Sequence, residues 1–164
     1  MRRVVSDTGP VIHLSEAQAL DLLGLTGEVH IPRGVEVEVA HHLPSAHNLA
    51  WIAVDTLIEP YVTEAINWQR AGLLDAGEAE AIALVRQLNA NWLLTDDAAA
   101  RFLAQRLGIE VHGSLGVVLW AAAVGHLNHA EAAASLEQLA RSSLWISTRV
   151  LDEARSALDQ LFHE

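Results

Sequence analysis

The 164-residue chain is 51% hydrophobic and 19% charged, has no cysteine, and sets ten basic residues, all arginine, against 21 acidic ones for a formal charge of −11. Without cysteine there is no disulfide framework, thiolate metal site or cysteine nucleophile, and without lysine there is no Schiff base and no P-loop lysine. The acidic balance argues against a passive binder that works by neutralising phosphates, but it leaves room for a nuclease that meets phosphate through metal ions, or for a protein-binding module.

The length suits one domain, residues 1–164. Arg2 to Ser6 reads as a short buried strand ending at Asp7. Pro10 then opens a helix with Val11, Leu14 and Leu22 on one face. Val29 to Ile31 is a second strand, closed by Pro32. Val35-Glu36-Val37-Glu38-Val39 alternates like a strand, yet Pro32 followed by Val35 and Val39 equally fits a helix. A strand over Trp51 to Val54 and a helix over Pro60 to Leu73 follow, then an alanine-rich helix from Glu78 to Leu88. Trp92 to Leu94 is a strand, and Asp97 to Leu107 a helix stopped by Gly108. Ile109 to Val111 is a strand, with helices at Leu115 to Val124, His129 to Leu139 and Val150 to Phe162. The apolar run at Leu115 to Val124 is too short for a membrane span, which needs about 20 residues, and no signal peptide opens the chain, so a soluble cytoplasmic protein is expected. Strands alternating with helices of this length imply a parallel sheet flanked by helices.

In such a sheet, ligands bind beyond the carboxyl ends of the strands. Asp7 ends the first strand, Glu36 and Glu38 follow the second, and Asp96 and Asp97 follow Trp92-Leu93-Leu94-Thr95. Glu78 lies in the first turn of its helix and shares a face with Ile82 and Val85, which turns it inward. Each acid also has a plainer reading as a helix cap: Asp7 or Thr8 before Pro10, Asp75 with Glu78 as a capping box, Asp96 or Asp97 before the helix to Leu107. Together, however, they would converge on one sheet edge, where repulsion and desolvation favour a bound cation. Oxygen-only ligands suit Mg²⁺ or Mn²⁺, which can acidify a water and steady the leaving oxygen of a phosphodiester.

Four segments carry a resemblance. Val4-Val5-Ser6-Asp7-Thr8-Gly9-Pro10-Val11-Ile12 resembles the opening of PIN-domain proteins, and Ile31-Pro32-Arg33-Gly34-Val35-Glu36-Val37-Glu38 their second segment. Asp75 to Leu84 resembles their central acidic helix, and Leu93-Leu94-Thr95-Asp96-Asp97 to Arg101 their last acidic motif. The chain is most similar to small prokaryotic VapC-type toxins. The resemblance implies a three-layer α/β/α sandwich around a mainly parallel sheet, and a helix at Val35 to Val39. It also implies a Mg²⁺- or Mn²⁺-dependent endoribonuclease, the homodimeric toxin of a toxin–antitoxin pair, with RNA as substrate and a small antitoxin as partner. The acids it implies are Asp7, Glu38, Glu78 and Asp96, with Asp97 helping at the metal and Thr8 and Thr95 as orienting neighbours. Arg101 is either an ion-pair partner of Asp97 or a contact for substrate phosphate.

Rival signals are weaker. Asp7-Thr8-Gly9 matches the aspartic-protease triplet, but the second copy such an enzyme needs is missing. An aspartyl-phosphate enzyme would want a lysine beside the phosphate. His41, His42 and His47, and His126 with His129, lack the spacing of a zinc site. His112-Gly113-Ser114-Leu115-Gly116 is not a nucleophile elbow, and Ser114 reads as a cap for the helix beginning at Leu115. The tryptophans are scattered and read as packing residues, the exposed ones with Leu115 to Val124 as a dimer face. A non-catalytic interaction module and a structure-specific DNA nuclease are the alternatives carried forward.

Overall fold

A computed structural model describes residues 1–43 and 49–163; His47 lies outside the described residues. Five short strands form one sheet: β1 (Arg3–Ser6), β2 (Glu28–Pro32), β3 (Ala53–Asp55), β4 (Trp92–Leu94) and β5 (Glu110–His112). The order is β3-β2-β1-β4-β5 and all pairs are parallel, with Val5 opposite His30 on one side and Leu93 on the other. Successive strand residues face opposite layers. Thus Val4, Trp92 and Leu94 enter one hydrophobic cluster, while Val5 and Leu93 enter a second.

The first cluster is covered by α1 (Thr8–Glu16), α2 (Leu20–Leu25), α3 (Arg33–His42), α7 (Ser114–Ala123), α8 (His129–Arg141) and α9 (Thr148–Leu161). The second is covered by α4 (Tyr61–Arg70), α5 (Ala76–Leu88) and α6 (Ala98–Arg106). The result is a three-layer α/β/α sandwich with an all-parallel sheet. No helix among the described residues is long and apolar enough to cross a membrane.

The chain departs from its expected elements in three places, and at Val35 to Val39 it takes the helix that the resemblance implies. The helix expected to carry Val11, Leu14 and Leu22 is two helices, broken where Gln18 takes a left-handed φ of 59°, so Leu22 belongs to α2. Val35 to Val39 is helical: Val35 and Val39 are buried while Val37 is exposed, a spacing of four rather than two. Trp51 precedes β3 instead of starting it. Ser114 is the first residue of α7 rather than its cap; Gly113 holds the cap position and makes no side-chain cap bond. α7 buries Val117, Val118 and Ala121 beneath α8 and α9, while Leu115 and Leu119 stay half-buried.

Strand order reverses direction at β1 and β4, whose neighbours lie on opposite sides. A crevice opens there beyond the strands' carboxyl ends, the place where open parallel sheets bind ligands. Asp7 and Thr95 stand at that edge, and the Asp7 amide donates to the Leu94 carbonyl at 2.8 Å, extending the β1–β4 ladder to the crevice.

Candidate active site

Buried polar side chains among the described residues gather at this edge: Ser6, Asp7, Thr8, Thr95 and Ser114 all lie there, with only Thr26 and His30 elsewhere. Asp7 caps α1, its Oδ1 accepting from the Thr8 amide at 2.8 Å. Its Oδ2 accepts from the Thr95 hydroxyl at 2.9 Å. Burial outweighs these bonds and pushes the carboxyl up from 3.8 to about 6, with Asp75 and Glu38 adding repulsion.

Glu38 reaches in from α3, where Oε2 accepts from the Thr8 hydroxyl at 2.7 Å. It lies over the start of α5, and a Cβ at Gly77 would come within 2.7 Å of its Oε1. Glycine there lets the carboxylate approach the helix N-terminus, which favours negative charge. Glu36, two residues earlier, turns away and pairs with Arg33 at 3.3 Å. Glu78 completes a capping box with Asp75. Desolvation, then the carboxylates of Asp75, Asp97 and Asp7, push it up to about 8 against the Asp75 backbone bond.

Asp96 has a different environment. Burial opposes its charge, but the hydrogen bonds it accepts from His13 and Ser114 prevail and hold it below the usual carboxylate range. His13 Nδ1 lies 2.7 Å from Oδ2, the Ser114 amide 2.6 Å from Oδ1, and the Ser114 hydroxyl 2.5 Å from Oδ2. Asp97 caps α6 by accepting from the Ala100 amide at 2.8 Å, and its own amide donates to the Thr95 hydroxyl at 3.2 Å. Arg101 makes no ion pair with Asp97; its guanidinium donates to the Thr95 carbonyl at 3.5 Å.

Asp7, Glu38, Asp75, Glu78, Asp96 and Asp97 line one cavity of about 360 Å³, together with Thr8 and His13, and no arginine lines it. Asp7, Asp75 and Asp97 each cap a helix and also line this cavity, because those helices begin at this edge. Periodicity offered no signal for His13 or Ser114. The pairing of each with Asp96 joins residues 83 and 18 positions apart.

The donor set is carboxylate oxygen, which fits Mg²⁺ or Mn²⁺ and not a thiolate metal. The values at Asp7 and Glu78 are raised first by burial and then by neighbouring carboxylates, and a divalent cation would offset both. Among the described residues, no three His, Asp or Glu side chains stand close enough to chelate an ion as they are. The carboxylates lean on separate donors, Asp96 on His13 and Ser114 and Glu38 on Thr8. His126 packs against Trp120 and His129 pairs with Asp159, and both are exposed.

A family model described as a PIN domain matches residues 3–160. Comparison with curated proteins returns no match.

Proposed function

The chain belongs to the PIN-domain family, a nuclease-type fold, and we propose that it is a Mg²⁺- or Mn²⁺-dependent endoribonuclease. The observation that carries this reading is the meeting of Asp7, Glu38, Glu78, Asp96 and Asp97 in one cavity at the reversal point of a parallel sheet. A bound divalent cation would supply Lewis-acid polarisation of the phosphodiester and acidify the attacking water. Asp7, Glu78, Asp96 and Asp97 would hold it, with Glu38 as the remaining catalytic acid. The other residues do preparatory work: Thr95 fixes Asp7, Thr8 fixes Glu38, and His13 with Ser114 fixes Asp96 in its charged form. Water oxygen bonds to phosphorus as the bond to the 3′-oxygen breaks, leaving a 5′-phosphate and a 3′-hydroxyl.

The toxin role rests on the likeness of the four acidic segments to small prokaryotic toxins. On that reading the protein works in the cytoplasm as a single-domain homodimer, restrained by a small antitoxin protein. Incubation of single-stranded RNA and single-stranded DNA with the chain, with Mn²⁺ or with EDTA, tests the enzymatic core. RNA cleavage that EDTA stops and Asp7→Asn lowers by at least about a hundredfold is expected, since a loss of about 3 kcal/mol of transition-state stabilisation corresponds to that factor. Activity indifferent to EDTA, or equal in the variant, contradicts the metal-site reading. Cleavage confined to DNA contradicts the RNA assignment.

A further inference from the structure

A second cavity, of about 470 Å³, adjoins the acidic one and shares Asp96, Leu144 and Trp145 with it. Its walls are mostly apolar, from Leu115 and Leu119 of α7 and from Ile146 and Val150 around the start of α9. Trp145 stands on its rim, 85% exposed, and among the described residues the indole has no ring contact or hydrogen bond. The open indole leaves a planar π-face available at the mouth of the groove.

The segment that carries Trp145 is tied down. Ser143 donates to Glu16 Oε1 from both its amide, at 3.1 Å, and its hydroxyl, at 2.6 Å. The Leu144 amide donates to the Ser142 hydroxyl at 3.2 Å, and that hydroxyl donates to the Leu139 carbonyl at 2.6 Å. Glu16 is the last residue of α1, the helix that Asp7 caps at its other end. The backbone leading to Trp145 is therefore anchored to the same helix that Asp7 caps.

Arg101 is the one arginine lining this groove among the described residues. It pairs with no carboxylate, although Asp97 is one helical turn away. A Cβ at Gly113 would come within 2.8 Å of both its Nη1 and Asp96 Oδ1, so this glycine admits the guanidinium to the edge of the acid cavity. The other acid of the groove, Glu153, is engaged by Arg149 at 3.0 Å.

An unpaired cation beside an exposed aromatic face, opening directly from a phosphodiester site, matches the mixed chemistry of a nucleotide. A phosphate suits the cation, and a planar base with a π-face suits the indole. A base next to a scissile phosphate in the acid cavity has to lie in adjoining space, and this groove adjoins it. We propose that the groove is the subsite for one flanking nucleotide of single-stranded RNA, its base stacked on Trp145 and its phosphate held by Arg101. The proposal rests on the nuclease reading of the acid cavity.

The test uses the full chain with its five tryptophans replaced by 5-fluorotryptophan, in an Asp7→Asn background so that RNA survives. The Trp145 resonance is assigned by its loss in Trp145→Phe. A single-stranded RNA pentamer added with Mg²⁺ should move that resonance, whereas a pentamer of abasic ribose phosphates at equal concentration should not. In the otherwise unaltered chain, Trp145→Ala should raise KM for RNA about ten- to a hundredfold with little change in kcat, and Trp145→Phe should recover most of it. Arg101→Gln should also raise KM, and should flatten its dependence on salt. A Trp145 resonance unmoved by saturating RNA, or a Trp145→Ala chain with unchanged KM, overturns the proposal and leaves the groove to a protein segment. If the chain cuts no RNA but its Trp145 resonance still distinguishes base from abasic strand, the nuclease reading fails and the stacking subsite stands.

Discussion

Above neutral pH and without metal, Asp7 is a carboxylate held against its own preference. Its value rises from 3.8 to about 6 on folding, chiefly through burial. The folded chain thus binds protons more tightly than the unfolded one, and stability falls as pH climbs through that interval. The loss amounts to about 3 kcal/mol for Asp7. Glu78, pushed up to about 8, extends the decline toward pH 8. Asp96 works in the opposite sense, since its lowered value gives stability that is lost only in acid, below this window. In EDTA the melting temperature should accordingly drop between pH 5 and pH 8, and Mn²⁺ should restore more of it at pH 8 than at pH 5. A melting temperature that is flat or rising across that range would contradict the electrostatic reading. Asp7→Asn keeps an acceptor for the Thr8 amide and offers its own N–H to the Thr95 hydroxyl. It should raise metal-free stability at pH 8 by about 1–3 kcal/mol, measured by denaturant unfolding. The acid at residue 7 was legible from its place after an apolar strand. The buffering of Asp96 by His13 and Ser114 was not, because neither partner is near it in sequence.

Helix ends do most of the positioning. α3 and α5 hold each other's acids: Glu38 lies over Gly77 at the start of α5, and Glu80 lies over Gly34 at the start of α3, accepting a backbone hydrogen bond from it. Both carboxylates face exposed amides and the positive end of a helix dipole. The described residues include two capping boxes, Asp75 with Glu78 on α5 and Asn128 with Glu131 on α8, one at the site and one remote from it. Loss of the remote cap in Asn128→Ala should cost about 1 kcal/mol and leave RNA cleavage unchanged. Asp75→Ala loses an equivalent cap, but it also removes a negative charge that raises both Asp7 and Glu78. Its net cost at pH 8 in EDTA should therefore be smaller than that of Asn128→Ala, and the gap should close at pH 5. Equal costs at both pH values would show that the site acids do not sense Asp75. The capping signature was readable at Asp75-Ala76-Gly77-Glu78. The embrace of α3 and α5 was not, since it joins Glu38 to Gly77 and Glu80 to Gly34, residues far apart in the chain.

Across the whole molecule, β4 divides two cores with adjacent residues. Leu94 belongs to the cluster under α1, α7, α8 and α9, Leu93 to the cluster under α4, α5 and α6, and both are fully buried. Leu93→Ala and Leu94→Ala should each cost about 2–5 kcal/mol, and the double variant should lose close to the sum, because the cavities open into separate layers. A cost in only one of the two, read from urea unfolding, would mean that one layer packs loosely. The charge of −11 also has a different distribution from the one composition suggests. Six of the acids line one cavity, while Arg101 stands unpaired at its edge. The sequence alone determined the alternation of strands and helices, the burial of the strands at Val4–Ser6 and Trp92–Leu94, and which acids end strands or begin helices. These are local properties, fixed by apolar period and by capping chemistry within a few residues. Only the tertiary structure decided that Glu38 rather than Glu36 enters the cavity, that Ser114 serves Asp96 instead of a helix end, that Arg101 leaves Asp97 unpaired, and that Trp145 meets the acidic site. Each of those outcomes depends on which residues the sheet order brings together across long stretches of chain, and no period in the sequence encodes that order.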